Sequence, residues 1–246
     1  MEIVKVSPST YVLRDPKSSL NVGCVVTPDG VILIDTGCTA TLAAAIQERL
    51  PEITDQPIAY VVNAHACGEL SLAGGHFDAP IIAHHACYQA IEKARAARGR
   101  ESEVAATPTV SFTEDGYLYI GGLLLELLHA PGKGEGSLAV HLPDEKVLFA
   151  GDVLHVDSFP ILSANAFRWR ETLVRLKALN AQHIVAARGR VASQEDLDRH
   201  IAHLQNLIAS ADHFSRDGVA LERLANSERA AEADGAVHLA TRAHNR

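Results

Sequence analysis

The chain has 246 residues, 47% of them hydrophobic and 21% charged, which suits a soluble globular protein built as one sizeable α/β domain. No apolar run approaches the ~20 residues that span a bilayer, and a formal net charge of −8 argues against a nucleic-acid partner, whose phosphates need clustered Lys and Arg. The N-terminus, MEIVKVSPSTYVL, lacks a basic region leading into an apolar stretch, so no signal peptide is expected and the cytoplasm is the expected compartment.

Short apolar runs come first, at Tyr11 to Leu13, Leu20 to Val26 and Val31 to Ile34, with Thr27-Pro28-Asp29-Gly30 as the turn between the last two. Their spacing predicts a β-meander. Thr41 to Leu50 has helical periodicity and stops at Pro51, and Ile58 to Val62 reads as a buried strand. A strand over Ala79 to Ala83, a helix over His84 to Ala97 and a polar loop over Arg98 to Pro108 follow. Strands are then expected at Thr109 to Phe112, Tyr117 to Ile120, Leu123 to Leu128, Ser137 to His141 and Lys146 to Ala150. A helix around Ala166 to Leu179, a strand at His183 to Ala186 and a helix from Gln194 to about Ala211 complete the pattern. The tail, about 212–246, is Ala-rich and expected to be helical packing on a single domain spanning 1–246.

The one basic cluster, Lys93, Arg95, Arg98 and Arg100, falls at the expected helix end, where cations complement the negative terminus. Cys24, Cys38, Cys67 and Cys87 form no CxxC pair, which fits reduced thiols.

Five landmarks recur in order: LIDTG at 33–37, the loop at His65 after a buried strand, Pro131-Gly132, Ala150-Gly151-Asp152, and Ala187-Arg188-Gly189 after the last strand. Together they resemble the metallo-β-lactamase superfamily over about residues 1–210. The resemblance implies an αββα sandwich, two mixed β-sheets packed face to face with helices outside.

The resemblance also implies a metal-ligand set, and this chain departs from it. Where the superfamily has H-x-H-x-D-H, the chain reads His65, Cys67, Glu69 and Leu70. The histidine of the P-G-H turn is Lys133, the bridging acid is retained as Asp152, and the last histidine is Arg188. Zinc takes imidazole, thiolate and carboxylate, and a catalytic site needs three such ligands with an open position. Lys and Arg offer no usable lone pair at neutral pH. No metal or other cofactor is therefore expected; the alternative is one zinc on His65, Cys67 and Asp152.

In place of the metals the chain offers two cations, Lys133 and Arg188, and two acids, Glu69 and Asp152. An ion-pair plug would bring Asp152 within salt-bridge distance of Arg188 or Lys133, because a lone buried charge is costly. A working cleft would use Arg188 and Lys133, with His65, Asp152 and Asp35 around them, to bind an anion. Glu69, Cys67, Lys133 or His155 would then move protons. Asp35 resembles the superfamily's acid beneath the site, and its alternative role is bonding the turn backbone. His129 points either to the cleft or to the core, and His84-His85 and His200-x-x-His203 read as helix-surface or packing residues.

The expected function is thus a metal-independent enzyme, of lyase, isomerase or related acid–base type, acting on a small anionic or carbonyl-bearing substrate. The alternatives are a mononuclear zinc hydrolase and a non-catalytic binding protein or pseudoenzyme. No nucleic-acid or membrane partner is expected, and a homo-oligomer is compatible with these features.

Overall fold

A computed structural model describes residues 1–37, 39–64, 75–98, 107–156 and 165–216. Seven strands form one sheet in chain order: β1 (Glu2–Lys5), β2 (Thr10–Arg14), β3 (Asn21–Thr27), β4 (Gly30–Ile34), β5 (Ile58–Asn63), β6 (Ile81–His84) and β7 (Val110–Phe112). The second sheet has five, in the order β12 (His183–Ala186), β11 (Val147–Gly151), β10 (Leu138–Leu142), β9 (Leu123–His129) and β8 (Gly116–Ile120). Both are mixed: β1 to β4 are antiparallel and β4 to β7 parallel, while β8 to β11 are antiparallel and β12 joins β11 in parallel.

Strand alternation makes the layers. In β4, Ile32 and Ile34 pack with Leu125, Val140 and Phe149 of the other sheet, whereas Val31 and Leu33 pack with Ala43 and Ile46 of helix α1 (Ala40–Arg49). A strand covered on both faces must be apolar throughout, which is why this segment reads as an unbroken run. Leu138 carries the inter-sheet contact into the backbone, donating its N–H to the Ala64 carbonyl at 2.8 Å.

The helices begin where side chains cap them. Thr39 accepts from the Leu42 N–H ahead of α1, and Asn165 accepts from the Arg168 N–H ahead of α3 (Ala166–Ala178). Helix α2 covers His85–Arg98 and α4 covers Gln194–Arg216. Asp196, in the first turn of α4, accepts from the Ser193 N–H and from two nitrogens of Arg190. The Arg190 bonds hold the Asp196 carboxyl far below the ordinary range, against the opposing effect of burial.

The chain divides into two compact units, Met1–Ala202 and His203–Arg246. Of the second, the described part is the C-terminal stretch of α4. The expected tail helices and most of the polar loop after α2 lie outside the described residues. No helix among the described residues is long and apolar enough to cross a membrane.

The expected elements are present, with shifts at their ends, and one strand is additional. β1 is four residues with charged ends and, among the described residues, pairs only with β2, so it carries too little apolar pattern to be read from sequence. The boundary after β6 also moves: His84 closes the strand and α2 starts at His85, which makes His84 a buried strand end and not a helix residue.

Candidate functional site

The C-terminal ends of β4, β5, β11 and β12 meet at one end of the sandwich. Asp35 leaves β4 with φ 57, a left-handed conformation uncommon for a side-chain-bearing residue. Its backbone N–H donates to the Val62 carbonyl at 2.9 Å, and its carboxylate accepts from the Ala64 N–H at 2.8 Å. The buried acid thus fixes the chain at the point where it enters residues 65–74. This is the turn-bonding role open to Asp35.

β11 ends in Gly151, φ 56, followed by Asp152, and β12 leads through Ala187 to Arg188. The Ala187 N–H donates to the Gly151 carbonyl at 3.0 Å, which places the two strand ends side by side. Asn21 locks that junction: its side-chain amide donates to the carbonyls of Ala186 and Gly189, each at 2.9 Å. A cavity of about 10 Å³, with room for about one water molecule, lies beneath, among Asn21, Asp35, Phe149 and Ala187.

Lys133 reaches this end from the turn after β9. Helix α3 holds the turn, since Thr172 donates to the Pro131 carbonyl at 2.6 Å and Arg168 pairs with Glu135 at 2.5 Å. Gly132 lies so near Trp169 that a Cβ there would come within 2.9 Å of the indole. So held, the Lys133 ammonium stands 3.6 Å from an Asp152 carboxylate oxygen, the two side chains being 48% and 19% exposed.

The expected ion pair to Asp152 is therefore made by Lys133. Arg188 is exposed and donates to the Ser18 carbonyl at 2.8 Å, with no ion pair among the described residues. Its backbone bridges Leu20 and fixes the stem of the arginine, which leaves the guanidinium at the rim. His65, Cys67, Glu69 and Leu70, and with them three of the proposed roles, lie outside the described residues, as does Cys38.

His155 stands edge-on to both Trp169 and His200, with ring centroids 5.9 and 5.8 Å away. Its Nε2 is closed off from solvent, and His200 is buried, so this histidine of the i, i+3 pair is a packing residue. His129 stacks on His84 and bonds the Glu135 carbonyl. Cys24 and Cys87 are buried, and burial pushes Cys24 up to about 12, which makes it unreactive. Among the described residues no three His, Cys, Asp or Glu side chains converge as a metal site.

Two residues at this end had no signal in the sequence. Thr36 and Asn63 are fully buried, yet the Thr36 hydroxyl and both polar atoms of the Asn63 amide have no hydrogen-bond partner among the described residues. Each follows or closes a strand whose apolar pattern masked it.

Comparison with known proteins agrees with this architecture. A linear primary-alkylsulfatase from a Pseudomonas strain is 23% identical over 233 residues, 74% of this chain and 44% of that protein. A human acyl-coenzyme A thioesterase is 36% identical over 59 residues, 24% of this chain and 21% of its own length. The chain thus spans less than half of the curated relatives it matches. A metallo-beta-lactamase from Pontibacter korlensis superposes with a TM-score of 0.67 at 23% identity, covering 83% of this chain and 99% of that one. The model of the metallo-beta-lactamase superfamily matches residues 17–188, from the turn before β3 to the arginine after β12, and the chain belongs to that superfamily.

Proposed function

We propose that this chain is an enzyme that binds a small anionic or carbonyl-bearing substrate at the strand ends and works on it by acid–base chemistry without a metal. One observation carries the reading: the Lys133 ammonium sits 3.6 Å from Asp152, at positions where the superfamily places a metal ligand and the acid that bridges two metals. A cation beside that acid competes with zinc for it. The superfamily's binuclear centre does not fit the described residues, since of their three ligand positions Lys133 and Arg188 lack a donor pair and Asp152 alone remains.

Arg188 supports an anion site because its guanidinium is exposed and bonded to a neutral carbonyl, with its charge uncompensated by a described acid. A planar guanidinium suits carboxylate, sulfate or phosphate. Lys133, Asp152, Asp35 and His65 complete the proposed binding set, and Glu69, Cys67, Lys133 or His155 serve proton transfer. Both curated relatives bear names that specify anionic esters, a sulfate ester and a coenzyme A thioester.

Those names also favour a second reading, hydrolysis with one zinc held by His65, Cys67 and Asp152. Titration calorimetry against carboxylates, sulfates and phosphate esters tests the first. Wild type is expected to bind at least one class, and Arg188→Ala to lose that binding with its melting temperature nearly unchanged. No binding in wild type, with Arg188→Ala and Lys133→Ala only melting lower, would favour a non-catalytic structural plug. Stoichiometric zinc in protein purified without added metal or chelator would favour the hydrolase.

A further inference from the structure

The two sheets are joined at the rim by a pair of histidines that none of the proposed chemistry uses. His84 closes β6 in the first sheet and His129 closes β9 in the second. Their rings stack with centroids 3.9 Å apart and planes within 4° of parallel. Hydrogen bonds fix the tautomers. The Ala86 N–H donates to Nδ1 of His84 at 3.2 Å, so the proton of that ring is on Nε2, which donates to the Thr113 carbonyl at 3.0 Å. Nε2 of His129 donates to the Glu135 carbonyl at 2.8 Å. The stack is therefore attached at one side to the start of α2 and at the other to the turn that carries Lys133.

On the first sheet's side that turn also meets α2 and the end of β5, where Leu138 donates to the Ala64 carbonyl. Gly136 touches the α2 backbone so closely that a Cβ would come within 2.5 Å of the Cys87 nitrogen. We infer that the His84–His129 stack is an acid-operated latch, closed while His84 is neutral and opened when a proton is forced onto it, loosening residues 130–136, the turn that carries Lys133, from the first sheet.

The geometry makes the proton disruptive in two ways. A proton on Nδ1 of His84 would face the Ala86 N–H, turning an acceptor into a second donor. If His129 is charged as well, two imidazolium rings lie face to face at 3.9 Å. Burial, the largest effect, lowers His84 below its ordinary 6.5; the Thr113 bond and Glu114 work in the other direction, and charge on His129 or His85 adds to the lowering. The stability this arrangement supplies is thus complete above about 6.5 and is lost as pH falls through the lowered value.

Other charges face the pair from every side. His85 comes from α2; Glu114 and Asp115 come from the turn after β7, with Asp115 accepting the His129 N–H at 2.8 Å. Lys133 and Glu135 come from the latched turn itself. From α3, Arg168 pairs with Glu135, and Arg175 donates to the His129 carbonyl and pairs with Asp115 at 3.5 Å. Their titration must be separated from that of His84, and His84→Gln does so, because Gln keeps a donor for Thr113 and removes only the titrating ring.

Amide hydrogen exchange of the full chain, corrected for intrinsic rates, provides the test. The reporters are Ala130, whose N–H donates to the Ser137 carbonyl, and Leu138, whose N–H donates to Ala64 of the first sheet. Between about pH 7.5 and about pH 5, exchange at both is expected to rise about tenfold in wild type and to stay flat in His84→Gln. His129→Phe, which keeps a ring on His84 without its charge, should make the rise smaller, because His84 is then lowered less. No rise in wild type, or an equal rise in His84→Gln, overturns the latch. Should His84→Gln not fold, imidazole NMR of wild type decides: protonation of His84 with the turn still protected overturns it, and coincident loss supports it. These measurements read the turn and not a ligand, so their failure leaves the anion-site reading untouched.

Discussion

Lys133 and Asp152, which reach the same strand ends from different loops, form an ion pair at 3.6 Å with half of the lysine side chain in solvent. An ion pair so exposed contributes little to stability, about 0–1 kcal/mol. Lys133→Ala is therefore expected to lower the melting temperature by no more than about 4 °C. A drop beyond about 10 °C would mean that the pair is a structural plug, because only a well-buried charge network costs that much to break.

Metal content checks the donor chemistry directly. Protein purified without chelator or added metal is expected to hold well under one zinc per chain by elemental analysis, and its melting curve to be unmoved by a strong chelator. The reason is that Lys133 and Arg188 carry hydrogens where ligands need lone pairs. One zinc per chain with a chelator-sensitive melt would contradict this.

The backbone that aims the superfamily's ligands is retained, from the left-handed Asp35 to the Gly151 turn. Combining Cys67→His, Leu70→His, Lys133→His and Arg188→His with Glu69→Asp is therefore expected to raise zinc affinity. Calorimetry with zinc provides the readout. A folded variant that still ignores zinc would show that these loops do not occupy the superfamily's positions.

Glu145, in the turn between β10 and β11, ties the second sheet to the turn between β1 and β2. Its carboxylate accepts from the hydroxyls of Ser7, Ser9 and Thr10 and from the Ser9 N–H. Burial raises its pKa, but the bonds to Ser7, Ser9 and Thr10 outweigh that and leave it below the ordinary 4.5. Its contribution is present above 4.5 and is lost as pH falls through the lowered value. Glu145→Ala is expected to cost about 1–3 kcal/mol near neutral pH in denaturant melts. The deficit should shrink in acid; one that is constant with pH would rule out the charged carboxylate as its source.

Asn63 is fully buried and neither polar atom has a partner among the described residues, a state that costs about 1–3 kcal/mol per unsatisfied group. Asn63→Leu, close in shape and apolar, is expected to raise the melting temperature by several degrees. Weaker anion binding in the same variant would mark Asn63 as serving the site; a lower melting temperature would show that the amide is satisfied in solution.

Period and punctuation carried most of the fold into the sequence. The run Val31 to Ile34 is legible as a strand, Pro51 as the end of α1, and the five landmarks as the strand ends, whereas the cover on both faces of β4 is set by packing. Residue types alone also limited the chemistry, since no packing turns Lys133 or Arg188 into a zinc ligand. Partner choice was not legible. That Asp152 meets Lys133 while Arg188 turns to Ser18, that His84 closes a strand and stacks on His129, and that His200 packs beside Trp169 all depend on how the two sheets and α3 lie on one another. Local spacing fixes which face of its own strand or helix a side chain takes. Which remote residue it then meets is set by sheet stacking and register, and those are decided only when the whole core packs.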